Sequence, residues 1–344
     1  MRRVAVTGVG VLTGAVAGGA DAVRGLLAEG AARAGARAPG EIPASTLTAL
    51  FDDDDARRLS RACQLAVGAA RLAVGDAGLV PGADLGVVVG TEFGDLRSTI
   101  EFVDGYLGRG PGGLSALLFP NTVMNTMAAT TAIAVRARGL SLTLNAPTVA
   151  GELAVARAAS AVRAGRAEAV LAGGVDQLDP VLLEALAELG DGGDARSEGA
   201  GFVVLEPLEI ARARGARILG EIVGSAWRAL AARPHGVGRR AARASAIDAA
   251  LGQARVAPAA VGSVQVSGAG DVARDRWERT LVERALGTHR PRVGMLAPLL
   301  GRHSGVAAVA VAAAAMDATA FGAPALVNAV ARGGTHVCLV VAGP

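Results

Sequence analysis

Short, unbroken apolar runs alternate along this chain with longer stretches rich in alanine. The runs Val4–Thr7, Gly86–Gly90, Leu142–Asn145, Ala167–Leu171, Gly201–Leu205 and Ile218–Val223 read as strands, followed by Ser263–Val266, Pro324–Val327 and His336–Val341. Because these runs do not alternate apolar with polar residues, they predict strands covered on both faces. Between them Gly18–Glu29, Ala56–Ala77, Val123–Arg138, Ala150–Ala164, Arg243–Ala254, Arg274–Leu286 and Gly305–Thr319 read as helices. The acidic run Asp52–Asp55 is expected to cap the helix Ala56–Ala77, and Gly78 to close it. The alternation predicts a layered α/β architecture. Its elements repeat in a similar order in two halves, 1–190 and 191–344, which divide near the Gly/Asp-rich stretch Gly190–Glu198.

Composition says how such layers pack. Hydrophobic residues make up 51% of the 344 residues but aromatics only 3%, so the core is built from Ala, Val and Leu, with 48 glycines allowing helices close to sheets. Every basic residue is arginine, which excludes a Schiff-base lysine. A net charge of +3 with no basic, aromatic-laced stripe argues against a nucleic-acid partner. The arginine-rich run Arg233–Arg243 reads as a solvated loop. The longest Ala/Val run, Val306–Met316, is too short to span a bilayer, and the N-terminus lacks the pattern of a signal peptide; a cytoplasmic location without membrane attachment is expected. Two distant cysteines and four scattered histidines predict neither a disulfide nor a metal site, and no cofactor motif is present.

Five stretches carry a resemblance. They are Val4-Ala-Val-Thr-Gly-Val-Gly-Val-Leu-Thr13, Leu118-Phe-Pro-Asn-Thr-Val-Met-Asn125, Ala172-Gly-Gly-Val-Asp176, Ser197-Glu-Gly-Ala-Gly-Phe-Val-Val-Leu-Glu206 and Gly333-Gly-Thr335. In this order and spacing they resemble a β-ketoacyl synthase of the thiolase fold, almost end to end. The resemblance implies a layered αβαβα fold and places a nucleophilic cysteine on the strand-to-helix turn within Leu142-Thr-Leu-Asn-Ala-Pro-Thr-Val-Ala-Gly151. Thr148 stands at that position. The first catalytic histidine of the family matches Ser267, in Ser267-Gly-Ala-Gly-Asp271, and the second matches Arg302, in Gly301-Arg-His-Ser-Gly305. The family's lysine matches Ala297 and the phenylalanine of its last loop matches Arg332; only Asp275 looks retained, in a structural role.

From the residues alone, the bland alternatives weigh more. Thr148 reads as a helix N-cap in a turn, with Pro147 arguing against a strained elbow; Ser267 and Asp271 read as turn residues; His303 reads as a helix-start or surface histidine pointing away from Arg302; His336 reads as a satisfied strand residue. Met124 and Met127 read as core, and Cys63 and Cys338 as buried small hydrophobes.

The pattern resembles the chain-length factors of type II polyketide synthases in aromatic or polyene, antibiotic-type biosynthesis. That resemblance implies a catalytically inactive subunit that pairs with an active ketosynthase, meets acyl carrier protein through it, and bounds the tunnel holding the polyketide chain. Leu142–Asn145 and Val123–Arg138 would then lie at the interface, with Phe119, Val123, Thr126, Met127 and Thr130 as tunnel candidates. The alternatives are an acyltransferase or condensing enzyme using Thr148 and His303, or a homodimeric scaffold. Thr148 where chain-length factors carry Gln, and a chain shortened at Gly190–Glu198 and between Met316 and Asn328, are departures from that family.

Overall fold

A computed structural model describes the chain apart from residues 34–39, 53–56, 81, 83, 190–195, 233–244, 269 and 332, and apart from the side chains of 31–33. Most of the expected acidic cap, the Arg233–Arg243 run, Arg332 and most of the dividing stretch at 190–198 lie outside the described residues.

Eleven strands form one hydrogen-bonded array: β1 (Val4–Thr13), β2 (Ala17–Gly18), β3 (Leu85–Thr91), β4 (Ser141–Asn145), β5 (Ala169–Asp176), β6 (Gly199–Pro207), β7 (Gly220–Ala229), β8 (Ser263–Val266), β9 (Arg292–Met295), β10 (Ala325–Val330) and β11 (Thr335–Ala342). Leaving aside β2, a two-residue pairing on β1, the order is β4-β3-β5-β6-β1, then β7-β11-β10-β8-β9. Numbered within each run and read inward from the outer strand, β4 or β9, both runs go third-second-fourth-fifth-first. Their strand directions repeat too, since in each run the two outer pairs are parallel and the two inner pairs antiparallel. The repeat that is faint in the residues is plain in the topology, and it divides between β6 and β7, so that β6 (Gly199–Pro207) belongs to the first run and not to the second half expected to begin at 191. Within the array the two runs meet where Ala5 and Val6 of β1 pair with Glu221 and Gly220 of β7.

Two helices, Ala150–Arg163 and Val306–Phe321, pack against strands of both halves and against each other, forming the central layer. Alanine at most of their buried positions keeps both thin enough to be covered by sheet on either side. Glycine brings them closer still: a methyl group on Gly151 would stand 2.0 Å from the Ser304 carbonyl oxygen. On the outer face of the first sheet lies the helix Arg61–Asp76, seated on Gly10 of β1, where a side chain would meet the Ala73 amide at 2.1 Å. Among the described residues no helix is long and apolar enough to cross a membrane.

Several boundaries move. The helix expected from Ala56 begins at Arg61, with Ser60 accepting the Cys63 N–H as its cap, so the acid run does not supply the cap there. The helix expected over Val123–Arg138 spans only Thr126–Ala134, because Phe119–Thr122 forms a tight 3-10 turn around Pro120 and Arg136 turns to φ 56°. Two helices, Leu96–Arg109 and Pro180–Glu188, and strand β9 were not expected from the sequence.

Candidate functional site

Strand β4 ends at Asn145 and the central helix begins at Ala150. The chain turns between them at Thr148, whose φ is +65°. A β-branched residue in the left-handed region is a strained conformation, since its Cβ crowds the carbonyl oxygen. Thr148 is thus an elbow and not an N-cap: the capping position is Val149, with no side-chain bond, and Thr148 Oγ1 is buried without a partner.

Facing the elbow is a cavity of about 30 Å³, lined by Thr148, Glu152, Ser267, Arg274, Ala297, Arg302 and His303, among others. Four of the positions singled out by the resemblance, Thr148, Ser267, Ala297 and Arg302, therefore meet around one space, although they come from three separate stretches. That space is the size of a water or two and far below that of an acyl chain. A second cavity of about 470 Å³ adjoins it, sharing Glu92, Thr148, Arg274 and Arg302 and lined also by Phe93 and Arg196 among others.

The residues around the elbow are held by a dense polar frame. Glu92, at the end of β3, gives its backbone N–H to Asp176 Oδ1 (2.7 Å), and its carbonyl accepts Asn145 Nδ2 (2.6 Å). Its side chain turns toward the elbow, where Oε1 accepts the Thr148 N–H at 2.9 Å and Oε2 accepts Arg196 Nη1 at 3.0 Å. Arg196 in turn lies over the Phe93 ring, 5.3 Å from its centre.

On the other wall, Ser267 donates its hydroxyl to Glu278 Oε2 (2.7 Å) and its N–H to Oε1 (3.3 Å). Asn328 also donates to Glu278, at 3.0 Å, and its own Oδ1 meets His336 Nε2 at 2.7 Å. The His336 Nδ1 accepts the Ala246 N–H, so Nε2 carries the proton. Ser267 is thus the end of a buried chain reaching β11, not a simple turn residue, and His336 is satisfied as expected. Burial pushes the Glu278 carboxyl up, with the Ser267 bond opposing it. Glu152, in the first turn of the central helix, is pushed up to about 7, first by burial and also by the charge of Glu278.

His303 is neither exposed nor turned away from Arg302: both line the small cavity. Its imidazole packs on Gly199, where an added methyl would stand 2.6 Å from the ring, and neither ring nitrogen has a partner. Burial lowers its pKa to about 3, which makes it a poor base at neutral pH. Asp275 does play a frame role, accepting the Gly270 N–H and pairing with the buried Arg274. Cys63 and Cys338 are buried and far along the chain from the elbow, and burial raises both thiols. Among the described residues no group of His, Cys, Asp and Glu is arranged to hold a metal ion.

The five tunnel candidates do not share one surface. Phe119 and Val123 are exposed, with Phe119 tilted against Phe102. Thr126 is half-buried and gives its hydroxyl to the Pro120 carbonyl. Met127 is fully buried in the core with Leu12, Cys63 and Phe202, and Thr130 meets the Cys63 thiol. Met124, expected in the core, is partly exposed. Leu107, Leu117 and Ile133 are also exposed apolar side chains in this region, and β4 ends the sheet with a free edge. Glu92, Glu152, Arg196 and Glu278 were not singled out in the sequence.

With this geometry, the comparisons with known proteins agree. Residues 1–211 match the family model described as the N-terminal domain of β-ketoacyl synthase, and residues 219–322 match its C-terminal domain. The chain is 30% identical to 3-oxoacyl-[acyl-carrier-protein] synthase 2 of Synechocystis sp., over 90% of this chain and 84% of that protein. It is 32% identical to the putative polyketide β-ketoacyl synthase 1 of Streptomyces virginiae, over 92% and 85%. Among solved structures, the ishigamide ketosynthase/chain length factor superposes with a TM-score of 0.84 at 23% identity, covering 100% and 99% of the two chains. A type II polyketide acyl-carrier protein in complex with its ketosynthase gives 0.79 at 20% identity, covering 100% and 99%. The fold is that of the thiolase-like ketosynthases, and the chain belongs to the β-ketoacyl synthase family.

Proposed function

We propose that this chain is a non-catalytic, ketosynthase-like subunit of the chain-length-factor type, which pairs with an active ketosynthase and bounds the acyl tunnel of a type II polyketide synthase. One observation carries this reading: the four positions matched to the family's nucleophile, two histidines and lysine converge on a single cavity, and they are Thr148, Ser267, Ala297 and Arg302. Condensation by a ketosynthase needs a thiolate to take the acyl chain and bases to drive decarboxylation, and a hydroxyl without an adjacent base is a weak nucleophile. The hydroxyl of Ser267 is tied to Glu278, Ala297 has no functional group, and the Arg302 guanidinium cannot act as a base. The polyketide relatives and the two polyketide assemblies among the structural neighbours support the pathway and a ketosynthase and acyl carrier protein as partners. The exposed apolar residues Phe119, Val123 and Ile133, the last on a helix packed against the edge strand β4, support the site of pairing.

Acyl transfer on Thr148 with His303 as base is the competing reading. The strained elbow favours it, and the low basicity of His303 opposes it. Native mass spectrometry of the chain co-produced with a cysteine-bearing ketosynthase from the same genome separates the two. A 1:1 complex, with no acyl adduct on this subunit after acyl carrier protein delivers substrate, is expected. A monomer or homodimer that gains an acyl mass, lost in Thr148→Ala, would overturn the proposal.

A further inference from the structure

At the elbow, the backbone N–H of Thr148 is the donor best placed to meet the oxygen of any acyl group attached to, or brought up to, that residue. Thr148 lies two residues before a 14-residue helix, Ala150–Arg163, whose positive end favours a negative charge nearby. In this chain that donor is already taken. Glu92 Oε1 accepts it at 2.9 Å, while Oε2 is held by the buried guanidinium of Arg196 at 3.0 Å.

Nothing about Glu92 is loose. Its N–H is fixed by Asp176 from β5 and its carbonyl by Asn145 from β4, so two neighbouring strands clamp its backbone. The residue is 5% exposed and stands between two spaces, the cavity of about 30 Å³ and the larger one of about 470 Å³, both of which it lines. We infer that Glu92 is an internal ligand, a carboxylate built into the fold that fills the oxyanion position at the Thr148 elbow and closes it to acyl groups. The elbow is thus blocked by an occupied amide as well as lacking a thiol. Restoring a cysteine alone would then not restore a reactive site. Naming the excluded group rests on the ketosynthase-like reading above; the occupied amide does not.

The experiment uses thiol reactivity, which needs neither partner nor substrate. Thr148→Cys, and Thr148→Cys combined with Glu92→Ala, are made in the full-length chain and their alkylation by iodoacetamide is followed across pH. The parent chain reports the background from the buried Cys63 and Cys338. With Glu92 in place, its charge beside the thiol and its hold on the amide both disfavour thiolate. Removing it leaves the amide and Arg196 to favour thiolate, and alkylation at neutral pH should accelerate about tenfold, with the thiol titrating about one pH unit lower. Equal rates in the two backgrounds would overturn the inference. If the alanine variant does not fold, Glu92→Gln, which keeps the shape and drops the charge, must accelerate alkylation in the same direction or the inference fails. A second readout is thermal: acetate should raise the melting temperature of Glu92→Ala by refilling the position and leave the parent unmoved. Because none of this requires a ketosynthase, a failed heterodimer and a failed Glu92 assignment are told apart.

Discussion

Ser304 gives both its backbone N–H, at 2.7 Å, and its hydroxyl, at 2.6 Å, to a single oxygen, Oδ2 of Asp176. The other oxygen of that carboxylate takes the Thr91 hydroxyl and the Glu92 N–H, so one buried side chain ties the ends of β3 and β5 to the loop before the second central helix. Burial and the nearby Glu92 charge push Asp176 up to about 6, the cost of placing this anchor inside the molecule.

Replacing that anchor should loosen the site from both halves. Asp176→Asn would turn an NH2 group toward donors, leaving at least one buried donor unmet. A loss of about 3 kcal/mol of unfolding free energy is expected, with Ser304→Ala costing about 1–2 kcal/mol. Urea denaturation checks both, and a nearly neutral Asp176→Asn would show that the four bonds contribute little.

The elbow strain is measurable. At φ +65° Thr148 sits where glycine is at ease and a β-branched residue is not. Thr148→Gly should raise stability by roughly 0.5–1 kcal/mol, the relief of the left-handed conformation less the entropy of glycine. A melting temperature below that of the parent would mean that the threonine methyl packing outweighs the strain.

Glu152 should give the chain a pH dependence of known sign. Its carboxyl titrates near 7 in the folded chain against 4.5 ordinarily, so the folded state holds the proton more tightly and its stability falls as pH rises through that interval. His303, near 3, and His336, near 4, against 6.5 act oppositely, losing stability as pH falls. The melting temperature of Glu152→Gln relative to the parent should therefore climb from pH 4.5 to 7 and then level off. Its full span corresponds to an effect on the order of 3 kcal/mol. A difference that stays flat across this range would mean Glu152 is solvated in both states.

Two substitutions at the tunnel candidates separate interior from surface. Met127 is enclosed on all sides, so Met127→Phe should cost about 1–3 kcal/mol of the subunit's own stability. Val123→Asp, on the exposed face, should leave the lone subunit's melting temperature within about 0.5 kcal/mol of the parent and weaken ketosynthase binding at least tenfold. Calorimetry of the subunit and titration against the ketosynthase read the two effects, and unchanged binding in Val123→Asp removes that face from the interface.

The layered fold was legible because buried strands and alanine-rich helices announce themselves locally; every strand longer than five residues was anticipated in part. Strand β9 was not, being four residues long and mostly exposed, nor was the helix Leu96–Arg109, which buries little beyond Ser98. Positions of the elbow, Ser267, Ala297 and Arg302 came from the resemblance, not from periodicity. The frame around them was invisible for a physical reason: Glu92 meets Thr148 and Arg196 across 56 and 104 residues, and a lone acid after a strand looks like any turn residue. Thr148 was read as a cap because threonine caps helices often; its positive φ is imposed by packing, which no local pattern encodes.

The alanine and glycine of the two central helices carry a consequence for how such a chain can change over evolutionary time. Room inside a protein is usually gained by trimming a large side chain, and here most interior positions of those helices are already at the smallest sizes. Successive mutations can fill this interior but hardly hollow it. Space is gained instead at exposed positions, where side chains such as Phe119 and Val123 still have volume to give up.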